Sequence, residues 1–210
     1  MRANSRVNFR LLFITSIKLS KDPLNAVVKK ACKAGVKAVQ IREKDLSAAE
    51  LIKIVRKIKK ETARFSPALI INDRLDVALL TNSNGLHSPE NGLLPVQIKR
   101  YTSKIITGKS VHSLKDAKKA EKNGFDYILF GPVFKTPAKV KFGKPQGLNN
   151  LKKVCSAVNI PVFAVGGIRT ARVKKCLNAG AHGVAVIRSI MKSNNMAKTI
   201  SEFKKELGEL

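Results

Sequence analysis

The sequence predicts one (β/α)8 barrel domain over residues 1–210, and three observations carry that prediction. Eight short apolar runs alternate with amphipathic segments along the whole chain. Capping residues and glycines punctuate the joins at equivalent places. A length of 210 residues supports one sizeable core and lies near the lower limit for eight such units. Periodicity does not show closure, so a doubly wound open sheet is the alternative architecture.

Taken in order, the first strand is Leu11 to Thr15, after a basic start, MRANSRVNFR. The apolar LLFIT is too short for a signal-peptide core, which favours a strand. Asp22-Pro23 predicts an N-cap followed by proline at the first helical position, and the second strand is Val36 to Ile41. Ser47-Ala-Ala-Glu50 is a capping box ahead of Leu51, Ile54, Val55 and Ile58 at helical spacing. Strands three to five are Ala68 to Ile71, Gly85 to His87 and Ile105 to Gly108, with Ser113 starting the fifth helix. Strands six to eight are Tyr127 to Phe130, Val162 to Val165 and Gly183 to Ile187, with Thr170 starting the seventh helix. Gly35, Gly124 and Gly180 stop helices before the next strand.

Lys and Arg number 41 against 14 Asp and Glu, a formal net charge of +27. Such an excess suits nucleic acid, an acidic membrane surface or anionic substrates. The lysines recur in every predicted helix, as at Lys29, Lys30 and Lys33 or Lys53, Lys57, Lys59 and Lys60, rather than in one stripe. That distribution describes the solvated faces of an outer ring of helices. With aromatics at 5% and no Trp, base-stacking platforms are scarce, so no specific nucleic-acid partner is expected. No apolar stretch has the length of a membrane span, and no membrane partner is expected. Cys32, Cys155 and Cys176 lie in apolar helical patterns without CxxC spacing, as buried reduced thiols of a cytoplasmic protein would.

In either α/β architecture the site lies at the carboxyl ends of the strands. There the chain places Gln40-Ile-Arg42-Glu-Lys44-Asp45, Asn72-Asp73-Arg74, His87-Ser88-Pro89-Glu90, Gly108-Lys-Ser110-Val-His112, Gly166-Gly167-Ile168 and Arg188-Ser189. After strand six comes a long connection, Gly131 to Gly147, with the features of a phosphate-handling flap. Gly166-Gly167 has the backbone freedom to turn N–H groups onto a phosphate; an ordinary tight turn is the simpler alternative. Arg42, Lys44 and Lys139 suit a second, more highly charged anion, and Asp73 suits a metal bridging it. The competing readings are solvated lysines and an Asp73 that caps the following helix. His87 and His112 are candidates for substrate contact, whereas His182 falls at the opposite end of the barrel with a structural role. No Ser-His-Asp set or paired-carboxylate arrangement is apparent.

QIREKD at 40–45, INDR at 71–74, GKSVH at 108–112, YILFGPVFKTPAK at 127–139, PVFAVGGI at 161–168 and AGAHGVAVI at 179–187 together resemble the thiamine phosphate synthase family, which has the thiazole tautomerases as close relatives. The resemblance runs in order over nearly the whole chain. It implies a transferase that joins hydroxymethylpyrimidine diphosphate to hydroxyethylthiazole phosphate with release of pyrophosphate, using Mg2+. By the same resemblance, Gln40, Arg42 and Lys44 hold the pyrimidine diphosphate, and Asn72 and Asp73 meet the pyrimidine and Mg2+. Ser110 contacts the pyrimidine region, Thr136 and Lys139 grip the pyrophosphate, and Gly166-Gly167 bind the thiazole phosphate. Lys139 and Ser110, together with His112 from its place two residues past Ser110, make up the candidate catalytic set, and the implied assembly is a homodimer.

Three departures stand out. Gly92 occupies the position of the family's second Mg2+ carboxylate, leaving Glu90 as the nearby candidate metal ligand. Ala138 replaces one flap hydroxyl, and Arg188 replaces a serine at the thiazole phosphate. These losses favour a metal-independent tautomerase, but Pro132 stands where that branch has its acid/base histidine. The synthase is therefore the first reading; the alternatives are a tautomerase-like isomerase and a catalytically silent member.

Overall fold

The computed structural model describes residues 6–136 and 145–209. Its eight strands are β1 Leu11–Ile14, β2 Ala38–Ile41, β3 Ala68–Asn72, β4 Gly85–Ser88, β5 Ile106–Val111, β6 Tyr127–Phe130, β7 Val162–Val165 and β8 Gly183–Val186. They pair in parallel in chain order and close into a barrel, with Leu11 opposite Val184 and Phe13 opposite Val186. Closure removes the open-sheet alternative. The helices are α1 Leu24–Lys33, α2 Ala48–Thr62, α3 Leu75–Leu80, α4 Pro95–Ile98, α5 Leu114–Lys122, α6 Gly147–Ala157, α7 Val173–Asn178, α8 Arg188–Met191 and α9 Met196–Leu207.

Side chains alternate across each strand, so the barrel has an inner and an outer core. Leu12, Ile14, Ala38, Ile70, Leu129, Phe163 and Ala185 fill the inside, while Phe13, Val39, Ile41, Ile71, Phe130 and Val184 pack outward against the helices. Phe9, just ahead of β1, closes the amino end, with ring centroids 5.4 Å from Phe163 and 6.3 Å from Tyr127. His182 joins this plug, its Nε2 3.0 Å from the Phe9 carbonyl oxygen, which is the structural role expected of it.

α2 shows how sequence becomes a ring helix. The Glu50 N–H donates to Ser47 Oγ at 3.3 Å and the Ser47 N–H to Glu50 Oε2 at 2.8 Å, satisfying two amide groups that the first turn leaves open. Leu51, Val55 and Ile58 turn inward, each burial stabilising the fold by roughly 1.5–3 kcal/mol. Lys53, Arg56, Lys57, Lys59 and Lys60 remain exposed. Ser113 caps α5 as expected, and Gly35, Gly124 and Gly180 adopt φ of 98°, 80° and 90°. Two starts differ from expectation. Pro23 is extended and itself the N-cap of α1, while the Asp22 carboxylate pairs with Lys30 at 2.8 Å and caps nothing. Thr170 opens a 3-10 turn to Arg172, so α7 begins at Val173.

Cys32, Cys155 and Cys176 are buried and none is joined in a disulfide. Among the described residues no helix is long and apolar enough to cross a membrane.

Candidate active site

Inward parity at the carboxyl ends of β2 to β5 selects Gln40, Asn72, His87 and Ser110, which form one polar row across the barrel mouth. Gln40 Nε2 donates to Asn72 Oδ1 at 3.0 Å, Asn72 and His87 are register partners, and His87 Nε2 lies 2.8 Å from Ser110 Oγ. The Gln40 Oε1 atom is buried and has no hydrogen-bond partner among the described residues. A buried acceptor left open at a barrel mouth is suited to a donor brought by a ligand.

Behind the row, His87 Nδ1 lies 3.1 Å from the hydroxyl of Tyr127, which is fully buried. Burial, with Arg42 and Lys109 nearby, pushes the His87 imidazole down to about 3, so it is neutral. A neutral imidazole has one N–H donor and one acceptor. The Tyr127 hydroxyl hydrogen, sealed in the core, requires an acceptor, and His87 Nδ1 is the one beside it. It follows that Nδ1 accepts, that the Nε2–H donates to Ser110 Oγ, and that the Ser110 hydroxyl hydrogen is free to point into the mouth. Gly108 makes this possible: a Cβ there would fall 2.1 Å from the Tyr127 ring. Gly108 and Ser110 belong to one motif, GKSVH, whereas nothing in the sequence signals the contact by which Tyr127 orders them through His87.

The loop after β2 is braced by groups the sequence did not single out. Thr15 Oγ1 donates to Glu43 Oε1 at 2.6 Å and accepts from the Arg42 N–H at 3.1 Å, while Glu43 Oε2 accepts from the Ile17 N–H at 2.8 Å. Burial raises the Glu43 carboxyl despite these bonds. The brace fixes the backbone beneath Arg42, which is half-buried, and Lys44, which is exposed.

Asp73 is exposed at φ 67°, a strained conformation for a non-glycine residue, held by its N–H donating to the His87 carbonyl oxygen at 2.9 Å. It does not cap α3, whose N-cap is Arg74. Its carboxylate faces solvent at the carboxyl end of β3, next to the polar row. Glu90 is also exposed, and its loop is tied from behind by Lys109 Nζ, which donates to the carbonyl oxygens of Pro89 at 2.9 Å and Glu90 at 2.7 Å. A Cβ at Gly92 would lie 2.6 Å from Pro89 Cδ, so this loop is shaped for glycine where the family places a carboxylate. Among the described residues no three His, Cys, Asp or Glu groups gather as a self-sufficient cation site. The donor set fits Mg2+ held by one or two carboxylates together with substrate phosphate oxygens.

Across the barrel the site is made of backbone. Gly166 and Gly167 have φ of 96° and 65°, and the stem of the connection after β6 lies on them. The Val133 N–H donates to the Val165 carbonyl oxygen at 2.9 Å and the Phe134 N–H to that of Gly166 at 3.1 Å. The returning end closes the neck, with the N–H of Gln146 and of Gly147 donating to the Pro132 and Val133 carbonyl oxygens at 2.8 and 3.1 Å. Thr136 is half-buried just beyond the stem; Ala138 and Lys139 lie outside the described residues. Arg188, exposed, opens α8 beside this loop, and Ser189 Oγ donates to the Ile168 carbonyl oxygen at 2.6 Å.

His112 stands apart from the row. Its Nδ1 meets the Gly131 carbonyl oxygen, and it lines a cavity of about 230 Å³ between α5 and α6. Pro132, on the stem, carries no titratable group.

Residues 11–190 match the family model for thiamine monophosphate synthase. The chain belongs to that family. The family's relatives include one from Aquifex aeolicus, provisionally named thiamine-phosphate synthase 2, 42% identical over 85% of this chain and 95% of its own. The thiamine-phosphate synthase of Pyrococcus abyssi is 34% identical over 98% of both chains. Among solved structures, thiamine phosphate pyrophosphorylase from Pyrococcus furiosus superposes with a TM-score of 0.86 at 32% identity, covering 95% of this chain and 96% of that one.

Proposed function

We propose that this chain is a thiamine-phosphate synthase whose two phosphorylated substrates meet across the barrel mouth, the pyrimidine diphosphate on the β2–β5 side and the thiazole phosphate on the β7–β8 side. The observation that carries the reading is the polar row Gln40–Asn72–His87–Ser110, with its open Gln40 acceptor and free Ser110 hydroxyl, facing the Gly166-Gly167 loop. One side reads a heteroaromatic ring by hydrogen bonds; the other presents backbone N–H groups to a phosphate.

The chemistry needs little proton transfer. The bond between the pyrimidine methylene carbon and the diphosphate oxygen breaks, and pyrophosphate leaves with the electron pair. The thiazole ring nitrogen then supplies its lone pair to form the carbon–nitrogen bond. Arg42, Lys44 and Lys139 neutralise the leaving charge, and Thr136 donates to it. Asp73, with Glu90 as the second candidate, would hold Mg2+ against the diphosphate, and that ion when bound supplies charge neutralisation to the leaving group. Ser110 donates its hydroxyl hydrogen to the pyrimidine region and Gln40 accepts from the ring's amino group, fixing the methylene carbon toward the thiazole. A neutral His87 suits this role, because it orients Ser110 without adding positive charge beside an electron-poor ring.

The deciding experiment supplies purified protein with both substrates, with and without Mg2+. Thiamine phosphate and pyrophosphate form in equal amounts when Mg2+ is present. Absence of product at high enzyme concentration removes the reading.

A further inference from the structure

We infer that Arg172 is a positioning residue for the monophosphate site, setting the direction of the backbone N–H groups that receive the phosphate. The inference rests on the reading of Gly166-Gly167 as that site.

A peptide unit is planar and trans, so its carbonyl and the N–H that follows point to opposite sides. The Gly166 carbonyl oxygen accepts from the Phe134 N–H at 3.1 Å, which turns the Gly167 N–H away from the stem. The Gly167 carbonyl oxygen accepts from Arg172 Nη1, which turns the Ile168 N–H away in the same manner. Neither of these two N–H groups has an acceptor among the described residues. Glycine at φ 96° and 65° has no side chain to restrict it, so the peptide directions depend on what holds the carbonyls. Phe134 and Arg172 are what hold them.

Arg172 is itself held. Its guanidinium carbon sits 4.6 Å from the Phe134 ring centroid, a stacking geometry that leaves the fork edge directed at Gly167. The packing is close, since a Cβ at Gly167 would lie 2.7 Å from the Lys135 carbonyl oxygen and 2.9 Å from Phe134 Cβ. A cation bonded to the carbonyl also polarises the Gly167–Ile168 peptide and makes its N–H a stronger donor. Arg172 thus acts on the phosphate through a peptide bond rather than by contact.

The test compares Arg172→Met and Arg172→Lys with the wild type, using the thiazole phosphate and its unphosphorylated alcohol as acceptors. Arg172→Met raises KM for the phosphate about tenfold, with kcat, KM for the diphosphate and use of the alcohol within about twofold. Arg172→Lys recovers less than half of that loss, because an ammonium lacks the planar stack. Equal losses on both acceptors, or an unchanged KM, overturn the inference. If Arg172→Met does not fold, Phe134→Leu, which keeps the backbone N–H but removes the stack, gives about a threefold rise in the same KM, and no rise overturns it. Direct titration with phenyl phosphate separates this inference from the proposed function. Weaker binding by Arg172→Met in a protein that forms no thiamine phosphate upholds the positioning role and removes only the synthase reading; equal binding removes the positioning role.

Discussion

The two sides of the barrel mouth are built from different materials. From β2 to β5 the site is made of side chains on strands, whose register and parity place Gln40, Asn72, His87 and Ser110 in one row. From β6 to β8 it is made of backbone, with directions set by glycine dihedrals and by the groups that grip the carbonyls. The first kind fails when a functional atom is removed, the second when a carbonyl loses its grip, and an added atom crowds both, at Gly92 and Gly108 on one side and at Gly166 and Gly167 on the other.

Asp73→Asn gives the largest expected effect, lowering kcat by about 100-fold while the melting temperature stays within about 2 °C. The carboxylate is exposed and caps nothing, so its loss tests chemistry without stability. A comparable fall in melting temperature would mean that the side-chain half is structural after all.

Adding atoms comes next. Gly108→Ala drives a methyl group into the Tyr127 ring and costs about 3 kcal/mol, read as a lower urea midpoint. Gly92→Asp, which restores the family carboxylate, costs about 1–2 kcal/mol against Pro89 and does not strengthen the response to Mg2+. An improved Mg2+ response in this variant would break the account of this loop.

The pH dependence sharpens the side-chain half. The folded pKa of His87 lies at about 3, below its ordinary value of 6.5. Its contribution is therefore fully present above 6.5 and is lost as pH falls, at about 1.4 kcal/mol per unit, because the unfolded chain binds a proton that the fold refuses. Thermal melts between pH 6.5 and 5 show this slope in the wild type and a shallower one in His87→Gln.

The smallest effect tests the hydrogen-bond direction. Tyr127→Phe removes the donor that selects the His87 tautomer, costing about 1 kcal/mol and a few-fold in kcat. A Ser110→Ala background makes the kcat part of that loss disappear, as residues acting through one hydroxyl do not add.

Much of this was legible beforehand. Runs such as Tyr127 to Phe130 and Val162 to Val165, apolar on both faces, mark strands covered inside and out, and their alternation with capped helices leads to eight units. Gln40, Asn72 and Ser110 announce themselves as polar residues at the ends of such runs. Helix starts were less legible where an alternative bond competed, as at Asp22 with Lys30, or where a tighter turn intervened, as at Thr170. His112 lies two residues from Ser110 in sequence, yet it reaches the Gly131 carbonyl oxygen and the α5–α6 cavity.

The sequence by itself determined the βα alternation, the charged outer faces and the residue types at each strand end, because these depend on local periodicity and on which side chains tolerate burial. Closure of the sheet, the tautomer of His87, the brace on Glu43 and the grip of Arg172 on Gly167 were decided only by tertiary structure. Each joins residues from different strands or loops, and their chemistry appears only when the barrel brings a donor and an acceptor within hydrogen-bond reach and closes water out.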